Sequence, residues 1–104
     1  MRVKVRFYGV FYELINTREI EITLSNNANF KTLLEAIDNK FNINISGRIL
    51  DENGRIRRAG FAILLNGNAI REEDPDKVIL SDNDAIAILP AAVGGRKFSL
   101  CERV

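Results

Sequence analysis

The chain predicts an α+β fold in a single domain, and three observations carry that expectation. Two short segments near the start of the chain place apolar residues at every second position, the period of half-buried strands. One longer segment has apolar residues at helical spacing instead. The strands are grouped rather than alternating regularly with helices, which separates α+β from a doubly wound parallel sheet. A length of 104 residues suits one core, which buries about 60–70% of the unfolded surface at this size.

The first strand spans about 2–8, where Val3, Val5 and Phe7 alternate with Arg2, Lys4, Arg6 and Tyr8. Gly9 breaks it, and apolar residues at 10, 11 and 14 suit one or two helical turns. A second strand, about 18–24, alternates Ile20, Ile22 and Leu24 with Glu19, Glu21 and Thr23. Two strands joined by so short a connection pair antiparallel most simply. The polar run Ser25 to Asn29 offers Asn27 or Asn29 as a helix N-cap, because a short side-chain carbonyl can accept an unpaired backbone N–H. The main helix then covers about 30–41, with Phe30, Leu33, Leu34, Ile37 and Phe41 on one stripe and Lys31, Glu35, Asp38 and Lys40 opposite. A helix this short is marginal alone in water, so its stripe must cover a sheet.

Residues 42–59 are expected to form a loop, with a small hairpin turning at Asn53-Gly54. Phe61 to Leu65 is a nearly continuous apolar run of strand length, as suits an interior strand. Asn66-Gly67 turns it into a short return strand starting at Asn68. After turns at Asp74-Pro75-Asp76 and Asp82-Asn83-Asp84, the last strand is Ala85 to Leu89, halted by Pro90.

Composition narrows the chemistry. One cysteine and no histidine leave no means of building a cysteine-rich zinc site, an iron–sulfur cluster or a Ser–His–Asp triad within the chain. No resident metal or bound cofactor is expected. An internal disulfide is impossible, and no apolar run approaches the roughly 20 residues that span a bilayer. The opening alternates rather than forming an apolar signal segment, so a cytoplasmic location and no membrane partner are expected. Fifteen basic residues against 14 acidic ones give a formal charge of +1, too little field to argue for nucleic acid. Arg48, Arg55, Arg57 and Arg58 cluster, as do Glu72, Glu73, Asp74 and Asp76; both groups are expected on solvated loops.

The most function-like signal is the ending Leu89-Pro90-Ala91-Ala92-Val93-Gly94-Gly95. Proline forbids a helix, the next residues are small, and the glycines remove every Cβ. Extended, such a flexible arm reaches roughly 20 Å, enough to enter a narrow cleft in another protein while the body stays outside. A plain chain end has the same composition.

The stretch from Leu80 to Gly95, with the opening Val5 to Leu14 and the hairpin Leu65-Asn66-Gly67-Asn68, resembles the MoaD/ThiS family of ubiquitin-like β-grasp sulfur carriers. It is most similar to the MoaD-like members and their archaeal relatives that act as small protein modifiers. The resemblance covers residues 1–95 and implies a mixed sheet of four to five strands under one main helix. It also implies a protein with no active site of its own. In the family an E1-like enzyme uses ATP to adenylate the terminal glycine carboxylate. A sulfur donor converts the adenylate to a thiocarboxylate, and the tail then delivers the sulfur inside the active site of a partner, a MoaE-like large subunit of molybdopterin synthase. Gly95 would carry the reactive carbonyl, and Gly94, Val93 and Pro90 would form the arm. Phe7 and Leu89 become candidates for the surface that docks partners.

Three positions depart from the family pattern. Nine residues, Arg96 to Val104, follow the second glycine, and an internal Gly95 has no free carboxylate. The resemblance therefore implies that a processing protease removes 96–104, and Cys101 with it. Ala91 stands where a second proline is common. Asn83 stands where glycine is usual, which is tolerable because asparagine visits the left-handed region more readily than other non-glycine residues. Three functions remain open at this stage: a sulfur carrier for molybdopterin, a modifier joined through Gly95 to lysines of target proteins, and a non-covalent β-grasp interaction module.

Overall fold

The computed structural model describes residues 1–57 and 59–90. Strands β1 (Arg2–Phe7) and β2 (Glu19–Thr23) alternate as the sequence predicts, burying Val3, Val5 and Phe7 with Ile20 and Ile22. They pair antiparallel, with Val3 opposite Ile22 and Val5 opposite Ile20. Between them α1 (Val10–Ile15) turns Phe11 and Ile15 inward, and the Phe11 ring meets Phe61 edge-on at 5.9 Å.

Helix α2 (Phe30–Phe41) begins where Asn29 accepts the Thr32 backbone N–H at 2.9 Å, relieving one unpaired donor of the first turn. It buries Phe30, Leu33, Leu34 and Ile37 and ends at Asn42 in the left-handed region. The loop expected over 42–59 contains an additional single turn, α3 (Ser46–Ile49). A long-range polar contact explains it: the Asp38 carboxylate accepts from the Ile45 N–H at 2.5 Å and from the Ser46 hydroxyl. The small hairpin is present. Leu50 bridges Ile56, and Asp51 Oδ1 accepts the N–H groups of Asn53 and Arg55 at 2.8 and 3.0 Å, holding the turn.

Strand β3 (Phe61–Leu65) returns through Asn66 and Gly67, both at positive φ, into β4 (Asn68–Ala69), only two residues long. Two successive positive-φ residues make the turn that matches strand twist. A 3₁₀ turn at Pro75–Lys77 precedes β5 (Ala85–Pro90). Asn83 sits at φ 68°, as its residue type allows.

The strand order is β2-β1-β5-β3-β4. Thus β5 runs parallel to β1 and antiparallel to β3, making a mixed five-stranded sheet with the last of the described strands in its middle. Val3, Val5, Phe7, Ile86 and Ile88 meet the stripe of α2 in one core, and among the described residues no polar side chain is buried there. Arg48, Arg55, Arg57, Glu72 and Asp76 are exposed and Glu73 and Asp74 half-buried, and the two charge clusters meet. Arg55 Nη1 lies 3.5 Å from Glu73 Oε1, and the Ile56 N–H donates to the Glu73 carbonyl at 2.7 Å.

Candidate functional site

Alternation sends the remaining side chains of the sheet to its uncovered face. On β1 and β2 these are charged and laddered: Arg2 binds Glu21 at 3.1 Å and Arg6 binds Glu19 at 2.7 Å. The Arg6 guanidinium is held above its ordinary pKa chiefly by its hydrogen bond to Glu19 and then by Tyr8. Lys4 lies opposite Glu21 in register, but Glu21 is taken by Arg2. Lys4 therefore has no ion pair among the described residues. Beside it, Ala85 and Ala87 of β5 are too small to fill their share of the face. The result is a shallow depression bordered by Lys4, Arg6, Tyr8 and Leu64. Such a trough, apolar at its floor with a free cation on its rim, can receive an apolar side chain flanked by a carboxylate.

The root of the arm stands at one end of this face. The Tyr8 N–H donates to the Ile88 carbonyl at 3.1 Å. The next rung of a parallel ladder would need an N–H at residue 90, and proline has none. Pro90 thus ends the ladder, and the Tyr8 carbonyl instead accepts from Phe11 N–H at 3.1 Å. That bond closes a tight turn through Gly9, whose φ of 59° and ψ of −131° suit glycine. A Cβ at Gly9 would lie 2.7 Å from Pro90 Cγ. Neighbouring Val10 is 45% exposed.

Of the residues singled out from sequence, Pro90 is exposed at the end of β5, opposite Phe61. Leu89 is half-buried on the uncovered face, opposite Ala62. The expectation for Phe7 is corrected: it is 0% exposed, in phase with Val3 and Val5 beneath α2, and offers no surface to a partner. The side chain that borders the face there is Tyr8. The alternation of β1 already contained this signal, since residues in phase with Phe7 must point inward. Val93, Gly94, Gly95, Arg58 and Cys101 lie outside the described residues. Among the described residues no three His, Cys, Asp or Glu side chains cluster closely enough to hold a metal, and no helix is long and apolar enough to cross a membrane.

Comparison with known proteins gives a consistent result. The model of the ThiS family matches residues 5–95. Small archaeal modifier protein 3 of Haloferax volcanii is 24% identical over 95 residues, covering 91% of this chain and 100% of that protein. The solution structure of small archaeal modifier protein 1 from Methanosarcina acetivorans superposes with a TM-score of 0.67 at 28% identity, covering 90% of this chain and 96% of that one. A chain in the complex of subunits 1 and 2 of the molybdopterin-converting factor from Helicobacter pylori superposes with a TM-score of 0.50 at 28% identity, covering 91% and 100% respectively.

Proposed function

Because the chain belongs to the ThiS family of small ubiquitin-like carriers and modifiers, we propose that it works as a sulfur carrier activated at Gly95 and serving molybdopterin synthesis. A protease hydrolyses the Gly95–Arg96 bond and frees the glycine carboxylate. An E1-like enzyme binds the body. The carboxylate oxygen attacks the α-phosphorus of ATP, pyrophosphate leaves, and an acyl adenylate results. A persulfide-class sulfur donor displaces AMP to give an acyl disulfide, and a second thiol of the donor system then cleaves its S–S bond, releasing the thiocarboxylate and leaving a disulfide on the donor side. The ATP belongs to the E1-like enzyme, and this chain supplies the acyl group. Inside the active site of a MoaE-like large subunit, in the cytoplasm, the thiocarboxylate passes its sulfur to the molybdopterin precursor.

The observation that carries this reading is the geometry around Pro90. Strand β5, hydrogen-bonded on both sides, brings the chain to the edge of an uncovered sheet face just before Gly94-Gly95. One partner can therefore grip the trough at Lys4, Tyr8 and Ala87 while the reactive end enters its active site, and the two-subunit complex of the Helicobacter pylori relative is an assembly of the required kind. Leu89 borders the same surface. A second reading, conjugation of Gly95 to target lysines, is favoured by the full-length similarity to a protein named as a modifier.

Intact-mass measurement on protein from its own cells tests both. A species ending at Gly95 with one oxygen replaced by sulfur is expected for the carrier. For the modifier the expectation is an isopeptide from Gly95 to lysines of other proteins, seen after trypsin as the branch 78–95, because Lys77 is the nearest basic residue before the glycines. Finding only the full-length chain, alongside ATP-dependent activity, overturns activation at Gly95.

A further inference from the structure

The arm leaves the body at a point built with unusual closeness. Pro90 is the last residue of a strand held by β1 on one side and β3 on the other, and it faces Phe61 across the ladder. Its ring also occupies the space where any side chain at residue 9 would begin, 2.7 Å from the position of a Gly9 Cβ. Two independent requirements thus converge on residue 9. The turn that brings the chain from β1 into α1 needs positive φ, and the proline ring needs an absent Cβ.

We infer that Gly9 is a positioning residue for the reaction at Gly95: it seats the Pro90 ring and thereby fixes the direction in which the arm departs from the sheet. The value of such a seat is entropic. A terminus on a freely swinging tether searches a wide volume before it meets a nucleotide, whereas a fixed root confines the search to a cone aimed along β5. Docking on the sheet face and aiming of the arm are then separate tasks, assigned to Lys4, Tyr8 and Ala87 on one hand and to Gly9 with Pro90 on the other. The consequence for activation rests on the carrier reading; the seat itself does not.

The test therefore has two arms. In the full-length protein, NMR relaxation of the Ala91 and Ala92 amides is compared between wild type, Gly9→Ala, Pro90→Ala and the double variant. Amides more ordered in wild type than in all three variants support the seat, and equal values overturn it. Pro90→Ala leaves the turn at Gly9 untouched, so it remains informative should Gly9→Ala fold poorly.

In the second arm, forms ending at Gly95 are purified from the source cells, and exchange of pyrophosphate into ATP is followed with the adenylating enzyme of the same cells. The expected result is a fall in kcat of roughly tenfold with KM nearly unchanged. The double variant should be no worse than either single one, since both remove the same seat. A rise in KM with unchanged kcat, or effects that multiply, overturns the positioning role. Absence of any exchange by the wild-type chain overturns the carrier reading, and the relaxation arm still decides the seat.

Discussion

Beneath α2 the strands present Val3, Val5, Phe7, Ile86 and Ile88, all nearly without access to water. One residue along the chain in each case, the opposite face presents Lys4, Arg6, Tyr8, Ala85 and Ala87. The same hydrogen-bonded backbone serves both, so nothing in the local conformation distinguishes them. What differs is the neighbour. An aliphatic side chain under the helix stabilises by leaving water, whereas a charged or small one opposite costs little to change and leaves room for another protein. The covered face holds the fold together, and the uncovered face is where the proposed docking falls.

Substitutions can break that division if it is wrong. The largest effect on stability is expected from Phe7→Ala, which removes a fully buried ring under α2 and should cost about 3–5 kcal/mol. Urea unfolding measures it, and a loss within error would mean that Phe7 is not in the core. Ala87→Arg fills the trough with a long cation beside Lys4. Thermal stability should hold within a few degrees while conversion of Gly95 in the source cells, followed by intact mass, falls at least about tenfold. A normal yield would move docking elsewhere.

Arg6→Ala breaks the hydrogen-bonded pair with Glu19. Exposed pairs contribute little, so the unfolding midpoint should hardly move, and a large shift would contradict the view of this face as energetically quiet. The smallest effect is expected at Asp51. The Arg55 and then the Asn53 backbone N–H groups hold its carboxylate below the usual aspartate range. Its contribution is therefore present above the unfolded-state value, about pH 4, and is lost as pH falls through the lower folded value. Melting temperatures of wild type and Asp51→Asn should differ slightly at neutral pH and converge in acid. A difference that grows on acidification would reverse the sign.

How much of this was legible in the sequence depended on whether a pattern was local. The alternation of β1 and β2, the cap at Asn29, the stripe of α2 and the turn at Asn66-Gly67 all arise from near neighbours, and each is found where the residues predict it. The turn α3 is not local: Ile45 and Ser46 are ordered by Asp38, back on the main helix. The pairing of β5 with β1 is equally invisible to periodicity, because it joins residues at opposite ends of the chain. Phe7 marks a different failure. Resemblance to the family suggested a docking role, but the period-two pattern places it with Val3 and Val5, and packing obeys the pattern. For the candidate site, the composition of the ending singles out Pro90 and the family resemblance singles out Leu89, whereas Gly9 becomes legible only when the fold brings it against Pro90.

The position of β5 has a consequence for how the protein is made. Among the described residues it follows the other strands yet fills the middle of the sheet, so β1 and β3 have no strand between them until residues 85–90 have been synthesised. Contacts such as the Arg2 N–H to Asp82 at 2.8 Å span 80 residues, the kind of nonlocal closure that slows folding and leaves edges exposed in partial chains. A truncated or misfolded copy therefore has no root on which to mount an arm. Under the proposed function, partners that require both the sheet face and the terminus would engage only finished molecules, so completion of the fold would come before any ATP is spent.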